Sequence, residues 1–117
     1  MKKILIIEDH ADMRELLSWQ VELMGFGALL AQGGREGIDK AVAEKPDLII
    51  LDIMMPEMDG LEVLTRLKGK TETSTIPVIL LTAKVQYEDV LGGYKLGADY
   101  YITKPFTSTQ LVNGIYL

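Results

Sequence analysis

Cysteine is absent from the 117-residue chain, which excludes disulfide bonds, thiolate metal sites and cysteine nucleophiles. Histidine occurs once, as His10, so no multi-histidine metal centre can form. Positive charge is in deficit: 12 Lys and Arg stand against 17 Asp and Glu, a formal net charge of -5. Such a chain has no overall attraction to nucleic acid or anionic lipid, and direct DNA binding by it is not expected. Long apolar runs are missing too. None approaches the roughly 20 residues that span a bilayer, and the run from Ile4 to Ile7 meets Glu8 and Asp9 before a signal-peptide core can develop. The expectation is a cytoplasmic chain without membrane contact. What is present, 48% hydrophobic and 25% charged residues, fits a folded globular chain rather than a disordered one. The length suits one domain over 1–117.

Short β-rich runs occur at Ile4 to Ile7, Leu48 to Leu51 and Val78 to Leu81, with weaker ones at Phe26 to Ala31 and Tyr100 to Thr103. The three stronger runs are continuously apolar, the pattern of strands covered on both faces of a parallel sheet. Between them lie helical periods. Met13, Leu16, Leu17, Val21 and Met24 form the strongest, stopped by Gly25; Ile38, Ala41 and Val42 precede Pro46; Leu61, Leu64 and Leu67 end at Gly69. A period through Val90, Leu91 and Tyr94 is weakened by Gly92 and Gly93, each costing about 1 kcal/mol against alanine in a helix interior. A last one, at Leu111, Val112 and Ile115, is interrupted by Asn113-Gly114, and the polar stretch Gly69 to Thr75 reads as an exposed loop. Strict alternation of strand and helix predicts an α/β fold with a doubly wound, five-stranded parallel sheet.

In such a sheet, ligands bind beyond the carboxyl ends of the strands. The first strand runs into Glu8 and Asp9, the third into Asp52, the fourth into Thr82 and the fifth into Lys104-Pro105. Three carboxylates, a hydroxyl and an ammonium thus share one edge. Two carboxylates about 4 Å apart repel by about 4 kcal/mol at an effective dielectric near 20. A hard divalent cation relieves this, and Mg2+ accepts one or two carboxylates while keeping several waters. His10 reads as an exposed loop residue, because magnesium prefers oxygen. The turn Glu8-Asp9-His10-Ala11-Asp12 has neither glycine nor lysine, which disfavours Rossmann and Walker-type phosphate cradles. An acidic loop accepts phosphoryl oxygens through a metal, and an aspartate there serves as the nucleophile that becomes an acyl phosphate.

Four runs in order carry a resemblance: Ile6-Ile7-Glu8-Asp9, Leu51-Asp52-Ile53-Met54-Met55-Pro56-Glu57-Met58-Asp59-Gly60, Pro77-Val78-Ile79-Leu80-Leu81-Thr82-Ala83 and Gly97-Ala98-Asp99-Tyr100-Tyr101-Ile102-Thr103-Lys104-Pro105-Phe106. Over essentially its whole length the chain resembles the receiver domain of two-component response regulators. The resemblance implies a flavodoxin-like sheet of strand order 2-1-3-4-5. It makes Asp52 the phosphoacceptor, with Glu8, Asp9, Asp52 and the carbonyl of Met54 as ligands of Mg2+. Lys104 is implied to pair with the phosphoryl group, Thr82 to turn its hydroxyl toward it, and Tyr101 to follow as the aromatic of the switch. The implied partner is a histidine kinase or a histidine phosphotransfer protein. The function so implied is a phosphorylation-controlled switch, with chemistry only on itself and no metabolite as substrate.

Two other classes compete. A magnesium-dependent phosphohydrolase working through an aspartyl phosphate needs a second acid two residues after the nucleophile, where Met54 stands. An inert docking module of the same fold has no need of the complete acidic set.

Overall fold

The computed structural model describes residues 2–53, 55–82, 97–103 and 108–116. Five strands, β1 (Lys3–Ile7), β2 (Gly27–Ala31), β3 (Leu48–Asp52), β4 (Val78–Thr82) and β5 (Tyr100–Thr103), make one sheet in the order β2-β1-β3-β4-β5. Every neighbouring pair is parallel. The described helices are α1 (Ala11–Leu23), α2 (Gly34–Glu44), α3 (Gly60–Gly69) and α4 (Ser108–Tyr116). This is the flavodoxin-like, doubly wound arrangement that the alternation and the resemblance imply. The helical period at Val90, Leu91 and Tyr94 lies outside the described residues.

Continuous apolar runs make physical sense here because strand side chains alternate between two faces, and both faces are covered. Leu5, Ile7, Ile49, Leu51, Val78 and Leu80 enter one core, closed by Ile38 and Ala41 of α2 and Val63, Leu64 and Leu67 of α3. Ile4, Ile6, Ile50, Ile79 and Leu81 enter the other, closed by Leu17 and Val21 of α1 and Leu111 of α4. All of these are buried.

Four local expectations need correction. Leu16 is 42% exposed, because the face that α1 turns to the sheet is centred on Leu17 and Val21. The weaker second strand starts at Gly27, not Phe26. Thr73, in a stretch expected to be exposed, is fully buried and donates its hydroxyl to the Leu67 carbonyl at the end of α3. Asn113-Gly114 does not break the last helix. A Cβ on Gly114 would stand 3.0 Å from both Ile102 and Tyr100, so glycine lets α4 lie close against β5.

Candidate functional site

Strand order brings the acids together. In the register of β1 and β3, Ile7 pairs with Leu51, so the next residues, Glu8 and Asp52, come to the same level at the carboxyl edge. The direction in which successive strands are added to the sheet also reverses there, since β1 leads on to β2 at one side and β3 to β4 at the other, which is where open α/β sheets form their ligand crevice. One ligand atom each from Glu8, Asp9, His10 and Asp52 lies within 4.8 Å of the others. Glu8 is 1% and Asp52 2% exposed. Sequence reasoning had left His10 out of this group.

The turn that carries Glu8 and Asp9 is held from both sides. The Glu8 amide donates to the Ala31 carbonyl at the end of β2. From α1, the Arg14 guanidinium donates to the Glu8 carbonyl at 2.9 Å and to that of Asp9 at 3.4 Å. Arg14 thus places a positive charge beside an acidic turn while fixing its backbone. Nothing in the sequence singled it out, because its role depends on a side chain folding back from the helix onto the preceding turn.

The segment after Asp52 is anchored on backbone. The Ile53 amide donates to the Leu81 carbonyl of β4, and the Gly60 amide to the Ile53 carbonyl at 2.8 Å. Gly60 is there because a Cβ at this position would stand 2.4 Å from the Asp52 carbonyl oxygen and 2.5 Å from the Ile53 Cα. Asp59 caps α3, its Oδ1 accepting the Glu62 amide at 3.0 Å. Replacing Asp59 with alanine leaves that amide without its acceptor and is expected to cost about 1 kcal/mol, a fall in melting temperature of about 5 °C. Thermal unfolding followed by circular dichroism checks this.

The oxygen-rich donor set fits a hard divalent cation. A particular atom supports the fit: Asp9 Oδ1 is buried and accepts no hydrogen bond among the described residues, its ionic neighbour being His10 Nδ1 at 3.3 Å. A buried carboxylate oxygen without a hydrogen bond is stabilised by a cation against it. Of the other expected site residues, Thr82 ends β4 and pairs in register with Thr103 of β5. Tyr101 pairs with Leu80 and is half-buried against the core on the α2 and α3 side. Met54 and Lys104 lie outside the described residues.

Comparison with known proteins gives this geometry its context. The family model of the response regulator receiver domain matches residues 4–116. The chain belongs to that family. Among curated relatives, the receiver is 41% identical over 110 residues to the alkaline phosphatase synthesis transcriptional regulatory protein PhoP of Bacillus subtilis, covering 94% of this chain and 45% of that protein. It is 42% identical over 111 residues to the phosphate regulon transcriptional regulatory protein PhoB of Pseudomonas aeruginosa, covering 95% and 48%. The receiver spans about half the length of these relatives. Among solved structures it superposes on the chemotaxis protein CheY4 of Vibrio cholerae with a TM-score of 0.94 at 28% identity, covering 99% and 97% of the two chains. The receiver domain of a signal transduction histidine kinase from Syntrophus aciditrophicus gives a TM-score of 0.90 at 39% identity, covering 99% and 88%. The receiver therefore works in phosphorylation-dependent two-component signalling. No helix among the described residues is long and apolar enough to cross a membrane.

Proposed function

We propose that Asp52 is the residue phosphorylated in this receiver, and that Glu8, Asp9, Asp52 and the Met54 carbonyl hold the Mg2+ that the transfer requires. The observation that carries the reading is the gathering of Asp52, at the end of β3, with the donor atoms of Glu8 and Asp9 within 4.8 Å. The donor is a phosphohistidine of a histidine kinase or a phosphotransfer protein. A carboxylate oxygen of Asp52 attacks phosphorus, the P–N bond breaks as the P–O bond forms, and the leaving imidazole takes up a proton. When bound, the cation neutralises charge on the phosphoryl oxygens and on the carboxylates. Lys104 supplies a second positive charge to those oxygens, and Thr82 a hydroxyl donor. The chain acts on no metabolite and changes only its own phosphorylation state. It belongs in the cytoplasm, where such donors work, and its formal charge of -5 disfavours direct nucleic-acid contact.

Phosphorylation adds charge and acceptor oxygens that Thr82 and Lys104 bond only in the modified state, which biases a two-state element toward the conformation in which Tyr101 turns inward. Moving a population from 1:99 to 99:1 takes about 5.5 kcal/mol, more than one hydrogen bond supplies, so the response is graded.

Incubation with a small acyl phosphate, with and without Mg2+, followed by intact mass measurement, tests the reading. One stable added phosphoryl group is expected only with the cation; continuous turnover indicates a phosphohydrolase, and no change indicates a docking module. Asp9→Ala is expected to weaken Mg2+ binding by about tenfold or more and to raise the melting temperature of the metal-free protein by relieving carboxylate repulsion. Calorimetric titration showing unchanged affinity would remove Asp9 from the site.

A further inference from the structure

His10 stands at the N-cap position of α1, yet its side chain makes no capping hydrogen bond. Its side chain is 70% exposed, and Nδ1 lies 3.3 Å from Asp9 Oδ1 and 4.0 Å from Glu8 Oε2. A charged imidazolium beside a carboxylate is expected to donate a hydrogen bond to it. Asp9 Oδ1 accepts none among the described residues, although it is buried. The nitrogen and the oxygen therefore stand within ion-pair distance but outside hydrogen-bond geometry. Two ligand atoms of one ion show this relation. Donors at about 2.1 Å from an octahedral centre are about 3 Å apart in adjacent positions and about 4 Å apart in opposite ones, and the two measured separations fall in that range. His10 also shares the 4.8 Å group with Asp52.

Resting on the metal-dependent phosphoacceptor reading above, we propose that His10 is a nitrogen ligand of this carboxylate site and tilts its choice among divalent cations from magnesium toward first-row transition ions. The reason lies in the chemistry of the donors. Magnesium is hard and holds its waters, so an imidazole adds little to its binding. Mn2+, Co2+, Ni2+ and Zn2+ accept imidazole nitrogen readily, with affinities rising in the usual first-row order as far as copper. A set made only of carboxylates and carbonyls lacks this preference, and replacing one oxygen donor by His10 Nδ1 introduces it. The loading of the receiver would then respond to the transition-ion supply around it as well as to magnesium.

Calorimetric titration of the full chain with Mg2+ and with Co2+, in the native protein, His10→Ala and Asp9→Ala, tests the proposal. His10 is exposed, so its replacement is not expected to disturb folding, and thermal unfolding verifies that. Co2+ affinity is expected to fall by about tenfold or more in His10→Ala, with Mg2+ affinity within about twofold of native. In the Mn2+-loaded protein, electron spin-echo spectra are expected to show nitrogen coupling that disappears in His10→Ala. If the ratio of Co2+ to Mg2+ affinity is unchanged in His10→Ala and the nitrogen coupling is absent, the proposal is overturned. Asp9→Ala separates the two levels of the argument: if it weakens binding of both Mg2+ and Co2+ while His10→Ala weakens neither, only the role of His10 fails. If Asp9→Ala leaves both unaffected, Asp9 is removed from the site, and the proposed pairing of His10 with it as co-ligands is overturned.

Discussion

Asp52→Asn is expected to take up no phosphoryl group from a small acyl phosphate under conditions in which the native receiver gains one. An amide oxygen has nearly the shape of a carboxylate oxygen but little of its nucleophilicity, so the rate falls by at least about a thousandfold. The fold is expected to survive, because Asn fills the same volume at a position only 2% exposed. It also removes one negative charge from an edge that carries Glu8 and Asp9 as well. Intact mass after incubation, with circular dichroism as the check on folding, makes the comparison. Phosphate incorporation at the native rate would overturn the assignment and turn attention to Asp9, the more exposed of the acids. The variant also separates transfer from metal binding: Glu8 and Asp9 remain, so divalent cations should still bind, more weakly than in the native chain.

Gly60→Ala carries the largest expected loss of stability. Glycine to alanine within a helix ordinarily gains up to about 1 kcal/mol. At Gly60 the added Cβ would meet the Asp52 carbonyl oxygen at 2.4 Å and the Ile53 Cα at 2.5 Å. Both are backbone atoms, which no rotamer change can move aside. Relief requires shifting α3 against the end of β3, and overpacking of this kind costs about 1–3 kcal/mol and occasionally more. The expected net loss is about 2 kcal/mol, a fall in melting temperature of roughly 10 °C for a domain of this size. Because the clash falls on the backbone of Asp52 itself, phosphorylation should slow as well. Gly69→Ala is the matched control, since nothing lies within 4 Å of a Cβ there, and it is expected to melt at or slightly above the native temperature. Equal melting of the two variants would refute the close-approach argument.

Much of this was open to reading from the chain alone, because the information is local. A run such as Ile4 to Ile7 is apolar at every position, and only a strand with two covered faces needs that; both cores confirm it. The positions of Glu8, Asp9 and Asp52 after apolar runs placed them at strand ends, and a parallel sheet puts such ends on one edge. The same locality explains the errors. Apolar spacing in α1 includes Leu16 but does not say where the stripe is centred, and Leu16 is 42% exposed. Glycine is a poor helix former on average, and nothing local reveals that Gly114 faces β5.

The sequence by itself determined the class of fold, the family to which the chain belongs and which acids stand at the reactive edge. Tertiary structure alone decided how those acids meet. Strand order seats β1 beside β3, and register sets Ile7 against Leu51, so residues far apart in the chain share one level. The grip of Arg14 on the Glu8 and Asp9 carbonyls, the backbone contact that requires Gly60 and the approach of His10 to Asp9 belong to the same class. Periodicity records which side of an element is apolar. Distances of a few ångströms between groups on different elements are set by packing, and those distances decide whether carboxylates repel one another or hold a cation together.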